Sequence, residues 1–118
     1  MIRRGDSAEN LAAAFLRRQG LKIVARNYRC RFGEIDLIVE SGATLVFVEV
    51  RARKSEDFGG PAESITAAKR RRLVAAARHY LAAAGRDCPS RFDVVLLRGE
   101  QPEIEWIANA FGEDGSRR

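Results

Sequence analysis

Two acidic residues stand where apolar side chains would be expected. Gly33-Glu34-Ile35-Asp36-Leu37-Ile38 and Phe47-Val48-Glu49-Val50-Arg51 both read as β-strands, rich in Ile, Leu, Val and Phe. Asp36 and Glu49 interrupt these runs. A carboxylate beside a core is costly to desolvate unless a metal ion or another cation compensates it. Between the runs, Glu40-Ser41-Gly42-Ala43 is a turn signal containing glycine. A two-residue loop at Gly42-Ala43 sets Asp36 directly across from Glu49. A loop at Ser41-Gly42 sets Asp36 across from Phe47, with Glu49 on the diagonal. In either register the carboxylates share a face, with Cβ atoms roughly 5 to 8 Å apart. A three-residue loop would send them to opposite faces. Arg51, two residues beyond Glu49, lies on the Glu49 face. Two carboxylates this close repel unless a divalent cation sits between them, and oxygen ligands suit Mg²⁺ or Mn²⁺. The competing reading is a structural ion pair between Glu49 and Arg51 or Arg53, which accounts for one acid and leaves Asp36 unexplained.

The elements that must position these residues follow from pattern and punctuation. Asp6-Ser7-Ala8-Glu9 has capping-box spacing, and Ala8, Leu11, Ala12, Phe15 and Leu16 recur at helical spacing up to Gly20. Leu21 to Ala25 reads as a first strand, and Asn27 to Phe32 as a polar, arginine-bearing connection. The Asp36 and Glu49 strands come next. Arg53 to Pro61, with Phe58-Gly59-Gly60-Pro61, reads as a loop, either a binding loop or a plain connector. A second helix is expected from about Thr66 to Ala84, ending at Gly85, with Leu73, Val74, Ala77, Tyr80, Leu81 and Ala84 on its apolar stripe. Lys69-Arg70-Arg71-Arg72 falls in its first turns, the end already carrying partial positive charge, so local stability does not explain the placement. A phosphate-rich partner would explain it, as would a solvated basic face. Lys69 precedes Leu73 by four residues, which puts it on or beside the buried stripe, in reach of the strand site. Arg91 to Arg98 and Glu103 to Ile107 read as two further strands. Asp93, in phase with Val95 and Leu97, reads as a structural acid paired with an arginine. Trp106 and Phe111 read as core or rim, and residues 113–118 as a flexible tail, like residues 1–5.

Composition narrows the classes. The 118 residues suffice for a single domain, 1–118, with a core of its own, and 46% of them are hydrophobic. The net charge of +5 favours an acidic partner, nucleic acid first and a membrane surface second; a basic protein with no polyanion partner is the plain alternative. Cys30 and Cys88 have neither disulfide-framework nor zinc-site spacing, and the single histidine, His79, has no second histidine with which to build a metal site. No signal peptide is expected from the first residues, and no stretch reaches the roughly 20 apolar residues of a membrane span. The expected setting is cytoplasmic and reducing, with no membrane partner.

The order helix, three strands, helix, two strands, with the acid-x-cation tripeptide Glu49-Val50-Arg51 on the third strand, resembles the αβββαβ core of the PD-(D/E)xK nucleases, which includes restriction enzymes and archaeal Holliday-junction resolvases. The closer resemblance is to the small bacterial YraN family. It is carried by Gly5, Ala8-Glu9, Asn27, Gly33-Glu34-Ile35-Asp36-Leu37-Ile38, Phe47-Val48-Glu49-Val50-Arg51-x-Arg53, Lys69, Arg91-Phe92-Asp93-Val94-Val95 and Asn109-Ala110-Phe111, in order over nearly the whole chain. The resemblance implies an α/β fold with a mixed central sheet flanked by helices. It also implies an Mg²⁺- or Mn²⁺-dependent endonuclease acting on DNA, branched DNA included. Asp36 and Glu49 match the metal-binding acids, Val50 would lend a backbone carbonyl, and Glu9 resembles the first-helix glutamate of resolvase-like members, with a plain capping role as its alternative. Glu34 is a weaker ligand candidate. Arg51 departs from the usual lysine. A guanidinium stays charged and cannot take part in proton transfer, though it can steady charge on phosphate. Lys69 is the candidate to supply the missing ammonium, and Arg53, Arg70, Arg71 and Arg72 are the candidates to grip the nucleic-acid backbone. The departure equally suits a module that binds nucleic acid without cutting it, and the charge mosaic permits a protein-interaction partner. By analogy with resolvases, a homodimer is expected.

Overall fold

The computed structural model describes residues 4–53 and 65–113. The expected Arg53–Pro61 loop and both tails fall largely outside them. Helix α1 (Arg4–Arg18) is followed by β1 (Lys22–Cys30), β2 (Gly33–Ser41), β3 (Thr44–Arg53), α2 (Ala67–Ala83), β4 (Ser90–Arg98) and β5 (Glu103–Phe111). The strands form one sheet in the order β1-β2-β3-β4-β5. All neighbours are antiparallel except β3 and β4, which are parallel. A parallel neighbour needs a crossover, and α2 lies in it. The result is a mixed α/β sheet with two helices, compatible with a restriction-endonuclease-like core.

Each helix buries one face of the sheet. Leu16, Leu37, Val39, Val46, Val48 and Val95 pack with α1, and Ile35, Ile38, Phe47, Leu73, Val74, Phe92 and Phe111 pack with α2. Strands β2 and β3 are covered on both faces, which is why they read as continuous apolar runs. Helix α1 ends in a Schellman motif. Gly20, at φ +92°, donates to Arg17 O, and Leu21 N donates to Leu16 O. Leu21 and Leu16 are both buried in the same cluster. Thr66 caps α2 by accepting from Lys69 N at 3.0 Å. Among the described residues no helix is long and apolar enough to cross a membrane.

The structure departs from the sequence expectation at three ends. Helix α1 starts at Arg4, so Asp6 lies inside it and Glu9 sits in its second turn; neither has the capping-box position. Strand β1 continues through Cys30, where a polar connection was expected, because an edge strand keeps its ladder while its outward residues remain solvated. Strand β5 continues to Phe111. There Asn109, at φ +54°, donates its backbone N–H to Asp93, and the register shifts between Phe92 and Val94.

Candidate active site

The β2–β3 hairpin takes the first of the two registers open to it. Ser41 pairs with Thr44, so the loop is Gly42-Ala43, with Gly42 at φ +58°. The pairing runs to Leu37 and Val48. One step further would set Asp36 opposite Glu49, and there the strands fork. In place of a ladder bond, Val50 N donates to the Asp36 side chain, Oδ2, at 2.8 Å. A strand residue presents its N–H and C=O to the same side, so the Val50 carbonyl also faces the fork.

The period of two breaks at this point. Ile35 belongs to the α2-side core and Leu37 to the α1-side core, although they are two residues apart. On β1 the partners of these residues, Tyr28 and Arg26, part in the same way: Tyr28 packs on α2-side aromatics, while Arg26 reaches Glu9 and Asn10 of α1. Asn27 lies between them at φ +53°, a conformation asparagine tolerates better than most residues. The two strands therefore change face together, and Asp36 is at the crossing. Plain alternation did not reveal this. The only sequence signal for it was an asparagine within a polar stretch of β1.

Glu49 is 4% exposed and Asp36 is partly buried. The Asp36 carboxyl is pushed up to about 7. Burial is the largest cause, followed by the charge of Glu49. The Val50 N–H opposes the rise, while a hydrogen bond with Glu49 and the charge of Glu9 add to it. Two cations converge on the Glu49 oxygen Oε2: Lys69 Nζ at 2.7 Å and Arg51 Nη1 at 3.6 Å. Helix α2 thus delivers an ammonium to the acid of β3, as the position of Lys69 beside the apolar stripe suggested.

The other candidates divide. Glu9 lies 3.9 Å from Arg26 and acts on Asp36 through its charge. Glu34 turns to Arg29 at 3.5 Å. Arg53 ends β3, where its carbonyl accepts from Gly99 N. Arg70 folds back to donate to the Ile65 carbonyl at 2.6 Å, while Arg71 and Arg72 are exposed along α2. Asp93 is a separate, fully satisfied node. It is 1% exposed and accepts from Trp106 Nε1 at 2.9 Å, Asn109 N at 2.8 Å and the Arg91 guanidinium.

Among the described residues, no three His, Cys, Asp or Glu side chains converge as a finished metal cage. The donor set is two carboxylates and one carbonyl. That suits a hard cation such as Mg²⁺, which is commonly held by one or two carboxylates while keeping several waters. The raised Asp36 carboxyl reflects burial first and the charge of Glu49 second, the second of which a bound cation would offset.

Comparison with known proteins places this architecture. The description "Uncharacterised protein family UPF0102" matches residues 8–97. A UPF0102 protein of Nitrosomonas europaea is 59% identical over 111 residues, covering 93% of this chain and 94% of its own. Relatives from Methylobacillus flagellatus and Cupriavidus taiwanensis are 56% and 57% identical, covering 91% and 96% of this chain and 95% and 86% of their own. The chain therefore belongs to the UPF0102, or YraN, family.

Proposed function

We propose that this protein binds DNA, branched forms included, and hydrolyses its phosphodiester bonds with Mg²⁺ or Mn²⁺. The observation that carries the reading is the fork itself: Asp36 and Glu49 held together against their repulsion, with Lys69 and Arg51 at 2.7 and 3.6 Å from Glu49. A purely structural ion pair would need neither Asp36 nor its raised carboxyl. Asp36, Glu49 and the Val50 carbonyl would hold the cation, with Glu9 adding charge from α1. A bound divalent cation supplies activation of water and withdrawal of charge from the phosphate. Arg51 and Lys69 steady the charge that builds on the phosphate oxygens. Arg53, Arg70, Arg71 and Arg72 face the flanking backbone, with Arg71 and Arg72 the more available of these.

The test is cleavage of labelled linear, flapped and four-way-junction DNA with Mg²⁺, Mn²⁺ or EDTA, beside the Asp36→Asn protein. Metal-dependent cutting by the parent and none by the variant supports the assignment; equal cutting by both sinks it. A second reading, a module that binds without cutting, is favoured specifically by Arg51 in the usual lysine position. It expects a salt-sensitive gel shift with no cleavage under any metal.

A further inference from the structure

The β1–β2 turn sets a cation and an aromatic ring side by side at its tip. Cys30 pairs with Gly33, so Arg31 and Phe32 alone make the loop. Neither residue takes a positive φ, so the turn geometry calls for no asparagine or glycine there and does not itself dictate an arginine and a phenylalanine. The Arg31 guanidinium carbon lies 4.8 Å from the Phe32 ring centroid. Arg31 is exposed, and among the described residues it has no carboxylate partner. The Phe32 ring is held from behind. His79 meets it edge-on at 6.0 Å, and the Nδ1 of His79 is 2.5 Å from the Tyr28 hydroxyl. Cations flank this stack. The Arg29 side chain is 76% exposed. Arg72 of α2 packs where Gly33 lacks a side chain, 3.6 Å from where a β-carbon on Gly33 would lie. Lys69 and Arg72 are neighbours on one face of α2, so this basic strip runs back to the fork.

We propose that this turn is a stacking platform for an unpaired nucleotide, with the Arg31–Phe32 pair taking the base and Arg29 and Arg72 the adjoining phosphates. The proposal rests on the nucleic-acid reading above and adds that the substrate carries a single-stranded stretch beside the cleaved bond. A guanidinium lying over a ring presents its outer plane for stacking, and a base accepts such a plane whatever its identity. A duplex hides its base faces, so the platform acts only where a strand is unpaired. Gly33 is three residues from Asp36, about 10 Å of extended strand. That distance is roughly three nucleotide steps at the ~3.4 Å rise of a duplex strand.

The experiment is fluorescence anisotropy in EDTA, which prevents cutting, with labelled oligothymidine, a blunt duplex and the same duplex carrying an overhang. The parent is expected to bind the first and third more tightly than the blunt duplex. Phe32→Leu weakens those two by about tenfold or more and leaves the blunt duplex within about twofold. Phe32→Tyr retains the preference. Arg31→Lys, which keeps the charge and loses the plane on an exposed side chain, loses the preference without any risk to the fold. If Phe32→Leu with an unchanged Tm, or Arg31→Lys, shifts all three ligands equally or none, the platform is refuted and the nucleic-acid reading stands. If the parent binds none of the three but binds a labelled four-way junction, the platform alone falls; if it binds neither these nor the junction, the nucleic-acid reading falls, and the platform with it.

Discussion

The Lys69 ammonium lies 2.7 Å from Glu49 Oε2, so the cation closest to the third-strand acid comes from helix α2 and not from the strand. Arg51, the strand's own cation, stands farther off at 3.6 Å. One carboxylate thus gathers a cation from the strand and another from the helix. Lys69→Met should lower stability by about 1 to 2 kcal/mol, less than a fully buried pair because the lysine is one-third exposed, as Glu49 is left with Arg51 alone. It should also reduce metal-dependent cleavage at least tenfold if the proposed role holds. Urea unfolding and a cleavage assay read the two effects separately.

Asp36 sets a stability gradient with pH. Its folded carboxyl, at about 7, sits above its ordinary value of 3.8, so the folded state holds a proton that the unfolded chain has released. Stability from this group is therefore undiminished below about pH 4, falls as the pH rises through the interval, and is lowest above about 7. The total change is roughly a few kcal/mol. Asp36→Asn mimics the protonated acid, keeps an acceptor for the Val50 N–H, and should flatten the fall. The variant should be more stable than the parent at pH 8 and no more stable at pH 4. Thermal melts in EDTA across this range provide the check.

A cation bound to the same pair would reverse that penalty. At pH 8, millimolar Mg²⁺ or Mn²⁺ should raise the Tm of the parent, and the rise should vanish in Asp36→Asn. An equal rise in both proteins would mean that the metal binds elsewhere.

Arg71 and Arg72 are exposed on α2, whereas Arg70 is turned to the Ile65 carbonyl. Each phosphate contact removed should lower the magnitude of the log Kd against log salt slope by about 0.9 on duplex DNA. Arg71→Ala and Arg72→Ala should each give close to that decrement. Arg70→Ala should show up mainly as lost stability at the start of α2. Anisotropy titrations at several salt concentrations, together with Tm, separate the cases.

Asp93 gathers Arg91, Trp106 and the backbone of Asn109 at the β4–β5 bulge. Asp93→Ala removes all of these acceptors from a buried position and leaves the Arg91 charge without its partner. The expected cost is about 3 kcal/mol or more, by urea denaturation, with the Mg²⁺ response of the surviving folded protein unchanged.

What the sequence determined by itself was the order of elements, the apolar runs of β2 and β3, the two acids inside them and the helical position of Lys69. All of these follow from periodicity and from the cost of a carboxylate among apolar residues. Two hairpin registers remained open, because Ser41-Gly42 and Gly42-Ala43 are both workable turns; the tertiary fold chose the one that sets Asp36 toward Glu49. Only the tertiary structure decided that β1 and β2 change face together at Asn27 and Asp36. That switch depends on which helix covers each side, a long-range matter that strand alternation cannot encode. It also decided the pairing of Lys69 with Glu49, because the distance between a helix and a strand is set by how the intervening core residues pack and not by their separation along the chain.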